Sequence, residues 1–210
     1  MPTQELLKRS YQLTKPFEIR EGENGAKIIT GKPIVFNQRT DLYYFEEVIE
    51  AGALNGADLS DVRFLVNHDT SKIPLARYRA NNPNSTMSLK IEDDGLSVTI
   101  VLDVENNSEA KALYSAIQRG DITGMSFMFY IADEEWENLD SDYPTRHIKA
   151  IAVVIEVSAV TFPAYEGTEI STRNKDDLEK AKSVLEKVQN NNTQEKRDYK
   201  TSALVMMYKK

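Results

Sequence analysis

Three short stretches carry the side chains of an acyl-transfer site: His68 in Asn67-His68-Asp69, Ser126 in Gly124-Met125-Ser126-Phe127, and Glu156 in Glu156-Val157-Ser158. A serine hydroxyl is a weak nucleophile until an adjacent base takes its proton, and the base in turn needs a group that orients it. The order along the chain, His then Ser then acid, differs from the orders of chymotrypsin, subtilisin and the α/β-hydrolases, and points to a less common serine-protease class. Each residue also has a plainer reading. Glu156 could be a structural ion pair to an Arg or Lys, Ser126 an ordinary strand residue, and His68 a structural or exposed histidine. The chain has two histidines, so an imidazole that moves protons is His68 or His147. His147 follows Tyr143-Pro144-Thr145-Arg146, a loop-to-strand approach that suits a surface position.

The elements that must hold these residues read as mostly β. Residues 62–66 form a compact apolar strand that ends at Asn67, and residues 122–131 a strand that presents Ser126 beside Gly124. Residues 148–162 form a long strand whose two faces are both apolar. A carboxylate there must be paired or hydrogen-bonded, because a lone buried charge is very costly. Around these, residues 87–91 and 96–104 predict a hairpin about Asp93-Asp94-Gly95. Ser108-Glu109 opens a helix that stops at Gly120. Residues 25–36 read as two short strands broken at Gly31-Lys32-Pro33, Ala51-Gly52-Ala53-Leu54 as the start of a short helix, and residues 133–143 as an acidic loop. The first twenty or so residues are mixed and charged, lying across the surface or forming an opening strand. Residues 176–189 have helical spacing with a thin apolar stripe, Asn190-Asn191-Asn192 reads as linker, and residues 203–208 form an isolated apolar patch.

Composition narrows the classes. A chain of 210 residues, 40% hydrophobic and 28% charged, buries one good core. No apolar run approaches the length of a membrane helix, and Met1-Pro2-Thr3-Gln4-Glu5 lacks the layout of a secretory signal. The absence of cysteine excludes disulfides and thiolate chemistry. A net charge of −7 argues against a nucleic-acid surface, and two distant histidines among scattered carboxylates match no metal-ligand spacing. No cofactor or metal is expected.

Taken together, the motifs resemble the prohead proteases of tailed bacteriophages, the caudoviral capsid maturation proteases, relatives of the herpesvirus assembly protease. The residues that carry the resemblance begin with Gly31-Lys32-Pro33-Ile34-Val35-Phe36, the run from Tyr43 to Ala53, and Val66-Asn67-His68-Asp69. They continue through Leu75-Ala76-Arg77, the run from Ala116 to Phe129 that holds Gly124-Met125-Ser126-Phe127, and the run from Glu156 to Tyr165. The resemblance implies an α+β, β-rich fold, a compact β-barrel flanked by helices, with an N-terminal segment at 1–17, a protease domain at 18–172 and a helical, partly disordered C-terminal tail at 173–210. It implies His68 as general base and Ser126 as nucleophile, with Glu156 where the third member stands. The herpesvirus relatives use a second histidine there, and His147 falls where the family pattern is variable. An oxyanion hole near Ala164-Tyr165 follows by the same analogy. The implied substrates are the major capsid protein, scaffold and the protease itself, cut inside the assembling prohead in the host cytoplasm, next to shell and portal. Self-cleavage would fall between Arg173 and Lys200, and dimerisation follows from the herpesvirus relatives. Two other readings stand beside this one: an inert internal scaffold of the same fold, and a small-ester hydrolase, which would lack the Gly-X-Ser-X-Gly elbow.

Overall fold

A computed structural model describes residues 6–12, 17–22, 25–162 and 175–208. In chain order the elements are β1 (Leu6–Gln12), β2 (Glu18–Glu21), β3 (Lys27–Val35), β4 (Arg39–Asp41), β5 (Glu46–Ile49), β6 (Asp61–Val66), β7 (Ala76–Arg79), β8 (Met87–Glu92), β9 (Gly95–Leu102), α1 (Ser108–Arg119), β10 (Gly124–Glu137), β11 (Thr145–Val160) and α2 (Lys175–Tyr208). The fold is β-rich with two described helices, the α+β class expected. The strands form two open sheets rather than one hydrogen-bonded barrel. One has seven strands, with β1-β10-β11-β5-β4 as its spine, β6 paired to β11 and β7 to β6; the other has four, in the order β2-β3-β9-β8. Both contribute to a single apolar core, with Ile29, Val98 and Ile100 from the small sheet and Phe127, Val154 and Val157 from the large one.

β11 is the organising strand. Its start pairs in parallel with β5 (Arg146↔Glu47), and its end pairs in parallel with β6 (Glu156↔Arg63). Along its other edge it pairs antiparallel with β10 (Ser126↔Ser158), with irregularities near Glu156 that shift the register. Both of its faces are buried, Ile148, Val154 and Val160 on residues of one parity and Ile151, Val157 and Ala159 on the other, which explains why its sequence reads as a nearly continuous apolar run.

Local chemistry accounts for most elements and for the departures from expectation. The β8–β9 hairpin turns where predicted; a Cβ on Gly95 (φ +152°) would stand 2.0 Å from the Ile34 carbonyl oxygen, so only glycine fits beneath β3. Helix α1 is capped one residue earlier than expected: Asn107 accepts from the Glu109 and Ala110 N–H groups, and Gly120 closes the helix at φ 80°. Residues 27–35 make one strand, not two, because the Gly31-Lys32-Pro33 break is absorbed as a register irregularity against β9. The short helix expected at Ala51 is a series of turns instead, with Gly52 and Gly56 at φ 89° and 83° blocking propagation. The acidic stretch is β10 itself as far as Glu137, because the facing strand supplies cations: Arg146 pairs with Glu134 and Lys149 with Glu135. Asn190-Asn191-Asn192 lies inside α2, flanked by strong helix formers on both sides. Most of the stretch expected to hold a self-cleavage site is therefore helical. No described helix is long and apolar enough to cross a membrane.

Candidate active site

His68 sits on a strained turn. Asn67 and His68 both have positive φ (52° and 58°), and the Asp69 N–H donates to the Val66 carbonyl at 3.1 Å. This is the backbone of a turn that asparagine tolerates and histidine adopts only at a cost of order 1–3 kcal/mol. Asn67 holds it closed: its amide donates to Thr161 Oγ1 at 3.0 Å, its carboxamide oxygen accepts the Thr161 N–H at 2.9 Å, and its own N–H reaches the Ala159 carbonyl. The turn thus stitches the end of β6 to the end of β11 and aims the imidazole back over the sheet.

Glu156 receives it. His68 Nδ1 and Glu156 Oε1 are 2.6 Å apart, and the carboxylate is fully buried. With the carboxylate accepting, Nδ1 carries the proton and Nε2 keeps a lone pair. The second carboxylate oxygen accepts the Ser158 hydroxyl at 2.5 Å, while Ser158 Oγ accepts the His68 backbone N–H at 3.1 Å. One buried serine thereby holds both the Glu156 carboxylate and the main chain of His68. Arg63, the cross-ladder neighbour of Glu156, turns to Asp61 at 3.1 Å, so the partner of Glu156 is the imidazole and not a guanidinium.

Ser126 faces Ser158 across the β10–β11 ladder and is fully buried. It is covered by β1, which pairs antiparallel along β10 with Ser10 opposite Ser126. The Ser126 hydroxyl donates to the Arg9 carbonyl at 2.8 Å and accepts from Ser10 Oγ at 2.9 Å. His68 Nε2 is buried with no hydrogen-bond partner. The imidazole is therefore oriented by Glu156, while the Ser126 proton is held by a backbone carbonyl. Nucleophile–base bonds are often unmade until substrate is seated.

A caudovirus prohead serine protease profile matches residues 15–183. The chain belongs to that family. The prohead protease of Enterobacteria phage HK97 is 28% identical over 167 residues, covering 78% of this chain and 68% of the relative. The bacteriophage T4 capsid assembly protease gp21 is a structural neighbour at 14% identity and a TM-score of 0.46, covering 77% of this chain and 99% of that one. Membership makes this protein a serine protease of phage capsid maturation.

In this prohead protease His147 is engaged elsewhere, with Nδ1 3.1 Å from Glu50 and Nε2 3.3 Å from Glu137. Ala164-Tyr165 lies outside the described residues. Sequence reading gave Ser158 no role, although it stands two residues after the acid, the same-face spacing of a strand. Arg9, Ser10 and Glu47 carried no local signal. Glu47 is nonetheless 1% exposed, bound by Arg9 through Nε (2.5 Å) and a terminal nitrogen (2.8 Å), and by Arg146 at 3.4 Å. Burial pushes its carboxyl up, but the Arg9 charge and hydrogen bonds, with Arg146 behind them, outweigh burial and hold it below the usual carboxylate range.

Proposed function

We propose that this protease works through Ser126, His68 and Glu156 as nucleophile, general base and orienting acid. The observation that carries the reading is the 2.6 Å bond between His68 Nδ1 and a fully buried Glu156, which leaves Nε2 an open acceptor on the face that carries Ser126. With substrate seated, Nε2 takes the hydroxyl proton as Ser126 Oγ adds to a peptide carbonyl carbon, and Glu156 stabilises the imidazolium. The imidazolium then returns its proton to the leaving amine. Water attacks the acyl-enzyme with His68 again as base, releasing the acid product and restoring Ser126.

β10 offers substrate a ladder: an extended chain in the place of β1 would gain main-chain hydrogen bonds along 124–130. The proposed substrates are the major capsid protein or its scaffolding segment, scaffold, and the protease itself, within the assembling shell. A self-cut within residues 175–200 would require α2 to unwind, since a ladder site takes extended chain.

The burial of Ser126 beneath β1 is what an inert scaffold reading would rest on, and one experiment separates the two. Wild type and Ser126→Ala are co-expressed with the cognate major capsid protein and both proteins are read by intact mass. Truncation with wild type only is expected. Identical masses in both would remove Ser126 from the mechanism, and normal shells with no truncation in either would favour the scaffold.

A further inference from the structure

We infer that Glu47 is the specificity-determining acid of this protease: it receives the side chain of the residue just before the scissile bond and selects arginine, with lysine second. The inference rests on the reading of Ser126 as nucleophile and adds the chemistry of the substrate.

β1 lies along β10 in the manner of a bound substrate strand, and the carbonyl it brings to the Ser126 hydroxyl is that of Arg9, at 2.8 Å. In an extended strand successive side chains alternate between faces. Ser10 shares the Ser126 face, while Arg9 shares the other with Leu7, which is buried in the core. On that inner face the guanidinium meets Glu47 end-on, two nitrogens on two oxygens at 2.5 and 2.8 Å. This fork-to-carboxylate geometry is what a guanidinium satisfies and a single ammonium satisfies in part.

Charge balance shows that the pocket calls for a cation. Arg146 is shared between Glu134, which it binds through Nε at 2.9 Å and a second nitrogen, and Glu47, which it touches at 3.4 Å. Without Arg9, two carboxylates share one guanidinium, and the more deeply buried of them keeps only the longer bond. A buried carboxylate so poorly compensated favours a cationic side chain, leaves an amide or leucine with an unpaired charge beside it, and repels an acid. A bridge that merely fastened β1 to the body would not need the residue that makes it to be the one whose carbonyl lies at the nucleophile.

Arg9→Gln in the full chain removes the guanidinium from Glu47. Agmatine, a guanidinium without a backbone, is expected to raise the thermal midpoint of Arg9→Gln by roughly 2–5 °C at saturation, and to leave wild type and Arg9→Gln/Glu47→Gln unmoved. Peptides that differ only in the residue preceding a fixed serine (Arg, Lys, Gln, Glu or Leu) are then offered to wild type and Arg9→Gln. Cleavage after Arg is expected to exceed cleavage after Gln, Glu or Leu by about a hundred-fold or more, with Arg9→Gln the faster enzyme. Cutting without basic preference, or no agmatine response in Arg9→Gln, overturns the assignment of Glu47. Agmatine binding with no peptide cut, and no covalent capture of Ser126 by a fluorophosphonate, overturns the proteolytic reading beneath it.

Discussion

β11 has a buried carboxylate beside each of its ends, and the two are satisfied in opposite ways. Beside its first residues, Glu47 is held by two guanidiniums, groups that stay charged at any pH a protein tolerates. Toward its last residues, Glu156 is held by an imidazole and a hydroxyl, partners that are neutral or switchable. The Glu47 cluster is built around fixed positive charge. In the proposed mechanism the Glu156 charge acquires a full partner when His68 takes a proton, the state that must be stabilised during acyl transfer. The same fold can bury an acid against fixed charge or against a group that can gain one, and the choice of partner decides which.

Substitutions at the two ends should therefore fail in different currencies. Glu156→Gln keeps shape but removes the charge, and kcat is expected to fall by about 10³–10⁴-fold with little change in thermal midpoint, read by single-turnover cleavage. Arg146→Ala at the other end is expected to cost about 3–5 kcal/mol of stability in denaturant melts, because it leaves Glu134 and Glu47 underpaired in a buried setting. Acid acts on the same end. The Glu47 carboxyl is held below its ordinary value of 4.5, so the stabilisation from its ionised form is complete above that pH and disappears as pH falls through the lower folded value. Hydrogen exchange along β1 should accelerate in that window, and Arg9→Gln should flatten the pH dependence. Ser158→Ala removes a hydroxyl that positions the acid and the base; a loss of about ten- to hundred-fold in kcat/KM is expected, with Ser158→Thr recovering part of it. His147→Gln, a partly exposed change between Glu50 and Glu137, is expected to shift stability by less than about 0.5 kcal/mol and leave cleavage rates unchanged. A large rate loss there would mean that the two clusters are not separate.

What sequence alone made legible follows the range of the interactions. The hairpin at Gly95 and the stop at Gly120 were readable because their causes are single residues with particular backbone needs. The pairing of His68 with Glu156 was approachable because a carboxylate in an apolar strand needs a partner and the chain has two histidines. The far half of β10 is not legible from sequence, because Glu134, Glu135 and Glu137 look like loop until Arg146 and Lys149 stand opposite. Asn190-Asn191-Asn192 looked like a break because local propensity was read without the helix formers around it. β1 was least legible of all. Its partner lies 116 residues further on, Arg9 and Ser10 are ordinary surface types, and Glu47 gains its meaning from a contact between strands that sequence does not place together.

The register of β1 with β10 also has a consequence in time. Chains emerge from the ribosome in order, and early segments can fold before later ones exist. When Ser126 is synthesised, the strand that will lie across it has already been waiting for more than a hundred residues, and β6, which ends just before His68, and Glu47, which binds Arg9, have also been made. Glu156 and Ser158 come last. The acid of the proposed triad is thus translated after everything needed to cover Ser126, and on that reading a newborn molecule can be shut before it can cut.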